Sequence, residues 1–167
     1  MKQVFPIVLL AAACSGDPRP PVRLRATVIR PVTDTTRDTV RFETGAVAHH
    51  CEGGSGMLLE GSRGGNGFLV WLRPGDSALA GTYTPLPRAD TTGRRGALAA
   101  VRFMANDVAQ GTTIDSGSVI VAESGDRVEV TVGGSGLVVP GAMRVAVTAV
   151  FVRVPAPVDS VPCVVQP

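Results

Sequence analysis

The strongest constraint on the fold of this 167-residue chain is a two-residue alternation of apolar and polar side chains in short runs. In Arg127 to Val132, the residues Val128, Val130 and Val132 face one way, and Arg127, Glu129 and Thr131 the other. Successive strand side chains point to opposite faces, so this is the pattern of a half-buried strand. Met143 to Phe151 repeats it, with Met143, Val145, Val147, Ala149 and Phe151 on one face. Beyond it, Val150, Val152 and Val154 make the second face apolar, as expected of a central strand or one covered twice. Further strands are expected at Leu24 to Arg30, Val40 to Glu43, Gly45 to Cys51, Met57 to Glu60, Phe68 to Arg73, Gly81 to Thr84, Ala97 to Met104 and Ser118 to Glu123.

The connections carry turn chemistry. Ser124-Gly125-Asp126 suits a hairpin, with Gly supplying a positive φ. Gly61 to Gly67, GSRGGNG, ends in Asn-Gly and closes a second hairpin. The 20 Gly, 13 Pro, 26 Val and 14 Thr favour short strands and tight turns over long helices. Ala97 to Ala109 is the one stretch ambiguous between strand and helix. The expected fold is all-β, an antiparallel β-sandwich of about nine or ten short strands spanning 23–167.

The first fourteen residues, MKQVFPIVLLAAAC, have a basic start at Lys2, an apolar run from Val4 to Leu10, and three alanines before Cys14. The apolar run falls short of the roughly 20 residues that span a bilayer, so it reads as a signal-peptide core. The segment resembles the lipobox of bacterial lipoprotein signal peptides. That resemblance implies a signal peptide over 1–13, cleavage before Cys14, and acylation of Cys14. It covers this segment alone. Ala11 stands where the family prefers Leu, and Ala11-Ala12-Ala13 also satisfies the rule for ordinary secretory cleavage at the same bond. The implied partner is therefore a membrane, reached through the lipid on Cys14, in the outer membrane if the cell has one; the alternative is a secreted or periplasmic protein. Residues 14–22 hold Pro18, Pro20 and Pro21 and read as a flexible tether.

With Cys14 lipidated, Cys51 and Cys163 remain of the three cysteines, and an oxidising compartment makes a disulfide between them the expectation. The alternative is that Cys51 is a metal ligand or a reactive thiol. His49-His50-Cys51-Glu52 gathers both histidines of the chain. On a strand, His49 and Cys51 share one face while His50 and Glu52 share the other, so at most two neighbours meet one metal. No metal or other cofactor is assigned.

Other motifs are weaker. Ile114-Asp115-Ser116-Gly117-Ser118 is similar to the aspartic-protease signature, but that chemistry needs two carboxylates and only one copy is present. The plainer reading is a turn in which Asp115 accepts backbone hydrogen bonds. Gly53-Gly54-Ser55-Gly56 and Gly133-Gly134-Ser135-Gly136 lack the spacing of a nucleophile elbow and read as strand connections. Trp71 and Tyr83 are the only Trp and Tyr; a sugar-binding platform needs such rings exposed, and Trp71 is expected in core or half-core packing. The sole lysine, Lys2, lies in the signal segment, which excludes P-loop and Schiff-base chemistry from the body. The arginines are spread along the chain rather than clustered on one segment, so no nucleic-acid partner is expected.

The functional expectation is a lipid-anchored envelope protein with a non-catalytic binding or structural domain, whose partner would be an envelope protein or a glycan. The alternatives are an extracytoplasmic hydrolase or metal enzyme centred on His49 to Glu52, and a carbohydrate-binding module.

Overall fold

The computed structural model describes residues 21–163 except Ser55, Ala89, Thr91, Pro140 and Ala142. The signal segment, Cys14 and the tether up to Pro20 lie outside the described residues. The strands, in chain order, are β1 (Leu24–Pro31), β2 (Arg37–Thr44), β3 (Val47–Cys51), β4 (Met57–Arg63), β5 (Asn66–Arg73) and β6 (Gly81–Tyr83). They continue as β7 (Gly96–Ala105), β8 (Val108–Thr113), β9 (Ser116–Ser124), β10 (Arg127–Val139), β11 (Arg144–Pro155) and β12 (Ser160–Val161). One layer runs β6-β9-β10-β11-β1-β2, and the other runs β12-β3-β4-β5-β7-β8. All pairs within the layers are antiparallel except β12 with β3. The fold is thus the expected all-β sandwich, and no helix occurs among the described residues.

The alternation in β10 and β11 points where the sequence pattern places it. Val128, Val130 and Val132, with Val145, Val147, Ala149 and Phe151, are all buried between the layers. Phe151 of β11 meets Phe68 of β5 edge-on, with ring centroids 6.0 Å apart, so an aromatic pair joins the two layers. The apolar second face of β11 has a different cause from the one expected. The register with β10 shifts between Val128 and Val130, and Arg153 takes a φ of 48°. This β-bulge changes the phase by one residue, returning Val154 to the core while Val150 stays exposed.

Ala97 to Ala109 is extended, forming β7, a two-residue turn at Asn106 and Asp107 (φ 51° and 60°) and the start of β8. In the β4–β5 hairpin the turn is Gly64-Gly65, with φ of 57° and 82°, while Asn66 and Gly67 belong to β5. Asn66 Oδ1 instead accepts the Met104 N–H at 2.8 Å.

Gly133 to Gly136 also differ from expectation, since they lie inside β10 and connect nothing. At this point β10 leaves β9 and pairs with β8 through Val138 and Val139, so it belongs to both layers. The chain from β8 to β9 passes directly beneath it. A Cβ on Gly134 would stand 2.1 Å from the Ser116 carbonyl oxygen, and one on Gly136 would stand 2.1 Å from that of Thr113. Only glycine permits this approach of two backbones.

Candidate functional site

The two outer faces of the sandwich differ in chemistry. Across the first layer one register row reads Ile120, Thr131, Val150, Arg25 and Glu43, and the next reads Ser118, Gly133, Thr148, Thr27 and Arg41. Polar and apolar groups are interspersed there, and Arg25 pairs with Glu43 at 3.1 Å. Across the second layer the rows are His49, Leu58, Trp71 and Leu98, then Val47, Glu60, Leu69, Ala100 and Thr113. Side chains directly opposite on neighbouring strands touch, so Leu58, Trp71, Leu98, Leu69 and Ala100 form one apolar strip. It floors a groove of about 910 Å³, walled by Pro21 and Arg23, the chain at 44–47, Arg88, and Pro162 with Cys163.

One end of the strip is closed by charge. The Arg73 guanidinium lies 5.4 Å from the Trp71 ring centroid and pairs with Asp90 at 3.2 Å, while Arg94 reaches the same carboxylate at 3.1 Å. Hydrogen bonds from Thr92 and these arginines outweigh desolvation and hold the Asp90 carboxyl below its ordinary pKa. Asp90 thereby fastens the 84–95 connection, which carries Arg88 to the groove wall. Trp71 Nε1 is buried and has no hydrogen-bond partner among the described residues. Its place depends on Gly56, where a Cβ would lie 3.1 Å from Nε1 and 3.2 Å from Cys51 Sγ.

Arg102 stands at the other end of the strip. The residues opposite it on the two flanking strands are Gly67 and Gly111.

The sequence-derived candidates are dispersed. Cys51 and Cys163 form a disulfide with Cα atoms 5.2 Å apart, which ties β12 and its flanks to β3. His49 supports the same attachment: Nδ1 lies 2.8 Å from Asp159 Oδ1, and Nε2 lies 3.8 Å from Glu60 Oε1. His50 points to the other side, into a smaller cavity of about 310 Å³ beside Glu123 and Asp126. Glu52 is exposed in the turn after β3. The four residues His49 to Glu52 therefore do not converge. Among the described residues no three His, Cys, Asp or Glu side chains gather in an arrangement that could hold a metal.

Asp115 accepts a bidentate pair from Arg144, at 2.6 and 2.9 Å, and the expected backbone hydrogen bonding is a smaller contribution beside it. Arg144 also donates to Ser135 Oγ at 2.9 Å, and Ser116 Oγ lies 2.8 Å from Ser135 Oγ. The guanidinium lowers the Asp115 pKa, and the carboxylate raises that of Arg144. This cluster locks β9, β10 and β11 together at the glycine crossing.

Tyr83 is buried, donates its hydroxyl to the Leu79 carbonyl, and has Arg95 4.3 Å from its ring centroid. Desolvation raises its pKa. Trp71 is half-buried, in agreement with the half-core alternative, but it packs on the outer face.

No motif marks the apolar strip, yet it leaves a trace in the sequence. Phe68 to Leu72 and Ala97 to Val101 are unbroken apolar runs, the mark of strands covered on both faces. No family model, no curated protein and no solved structure matches this chain.

Proposed function

We propose that this chain is an extracytoplasmic lipoprotein, anchored through Cys14, whose β-sandwich is a non-catalytic binding domain. The binding surface is the groove over the outer face of β4, β5 and β7. The observation that carries this reading is the continuous strip of Leu58, Trp71, Leu98, Leu69 and Ala100 at the floor of a groove of about 910 Å³. Ligand sites are typically concave, mainly apolar, and on the order of 300–1,000 Å³. The Cys51–Cys163 disulfide fits an oxidising compartment, where such bonds persist. A tether rich in proline would hold the domain at a short distance from the lipid.

Two measurements test the proposal. Intact mass of the membrane fraction should show a chain beginning at an acylated Cys14, and Cys14→Ser should abolish that species; an unmodified Cys14 refutes the anchor. Native mass spectrometry of protein purified from its own envelope should show a bound small molecule that Ala100→Trp displaces. An empty groove in the wild-type protein argues against the binding role.

A further inference from the structure

We infer that the groove takes a single-chain amphiphile with an anionic head, its chain lying on the Leu69, Trp71 and Leu98 floor and its head against Arg102. The inference rests on the groove being a binding surface, and it assigns the chemistry of what binds. Along β7, Ala100 lies two residues from Arg102 and Leu98 four, about 7 and about 13 Å at strand rise. The floor is therefore a short apolar track with a cation at one end and the Arg73–Asp90 pair at the other.

Arg102 is exposed, and its guanidinium makes no ion pair or hydrogen bond to another described residue. It is flanked by Gly67 and Gly111, so no side chain stands directly beside it on either neighbouring strand; Ser62 and Val139 come next in the row. Packing does not demand glycine at 111. Its φ is not positive, and a Cβ there would meet nothing closer than the Val101 carbonyl oxygen at 3.7 Å. The bare position instead leaves room beside the guanidinium for a headgroup. The wider charge is complementary to an anion: Arg23, Arg88 and Arg102 line the groove, while Glu60 is the only carboxylate among its described lining residues and already faces His49. A guanidinium binds a carboxylate or phosphate through paired, charge-assisted hydrogen bonds.

The test uses the full chain carrying Cys14→Ser, so that no acyl group of its own competes. Trp71 is the only tryptophan and lies on the groove floor, so its emission reports occupancy directly. Titration with dodecanoate below its micellar concentration should give a saturable shift. The neutral dodecanol and the cationic dodecyltrimethylammonium should bind at least about tenfold more weakly. Arg102→Ala should weaken dodecanoate by a similar factor, and Arg102→Lys should restore part of the loss. Gly111→Leu, which has room to fold, should block the head position without lowering the melting temperature. Equal binding of dodecanoate and dodecanol, or indifference to Arg102→Ala, overturns the anionic-head assignment and leaves the groove as a binding surface. No response to any of the three probes overturns this inference, and the native mass spectrum then decides the binding role separately.

Discussion

Gly133 and Gly134 are adjacent in β10 and should respond oppositely to the same substitution. A Cβ on Gly133 would meet nothing within 4 Å, and its φ is not positive. Gly133→Ala therefore removes only unfolded-state freedom and should stabilise by about 0.5–1 kcal/mol. On Gly134 the new Cβ would stand 2.1 Å from the Ser116 oxygen, against a practical limit of 3.0 Å, and 2.7 Å from Ile114 Cγ2. The two backbones must separate by about 0.9 Å, and overpacking on that scale costs about 1–3 kcal/mol. The separation also strains the hydrogen bond from the Asp115 N–H to the Ser135 carbonyl, 3.0 Å long, whose loss adds about 1–3 kcal/mol. The unfolded-state term is common to both variants, so Gly134→Ala should lie about 2–6 kcal/mol below Gly133→Ala. Urea unfolding followed by Trp71 emission reads this difference as a fall in midpoint at constant m-value. A gap under about 1 kcal/mol between the two variants would refute the close crossing of β10 over 113–116.

Replacing Cys51 and Cys163 by Ser opens a loop with a sequence separation of 112 residues, worth up to about 4.8 kcal/mol in the chain-entropy account. Chemical denaturation of the two forms measures it, and a loss below about 1 kcal/mol would show that the bond restrains only its own segment. Phe151→Ala should cost about 3–5 kcal/mol, because the ring is fully buried and pairs with Phe68; a cost under about 1.5 would mean that the layers do not meet there. The folded-state pKa values of Asp38, Asp90 and Asp115 are all lowered, Asp38 chiefly by its hydrogen bond from Arg30. Their contributions are complete above the ordinary carboxyl pKa of about 3.9 and disappear as pH falls through the lower folded values. Stability should therefore hold down to about pH 4.5 and fall below about pH 4, and the deficit of Asp115→Asn against wild type should shrink over the same interval. A deficit independent of pH would contradict the ion-pair role.

Much of the sandwich was legible because its long strands bury one face against the core. Val128 to Val132 and Val145 to Phe151 advertise that face by their alternation. β8 escaped notice because Val108, Ala109, Gln110 and Gly111 show no alternation; Val108 and Ala109 are both exposed, and the strand is held mainly by its pairing with β7. β12 has only two residues and follows β3 through the disulfide and His49–Asp159. The bulge at Arg153 was invisible because Val152 and Val154 look like one more pair on a second face. The cysteine pair was read from the expected compartment alone. The groove was not read at all: Leu58, Leu69 and Leu98 interleave with core residues, and a one-dimensional pattern cannot say that an apolar second face lacks a covering layer.

The outer face of the second layer is the surface proposed to bind. A photo-crosslinking residue placed at Leu69, on the groove floor, can be compared with one at Thr148, on the mixed polar and apolar outer face of the first layer, in cells bearing the native envelope. Defined adducts are expected at Leu69, absent at Thr148 and lost when Ala100→Trp fills the groove. Adducts of equal yield at both positions, or none at Leu69, would contradict the binding role.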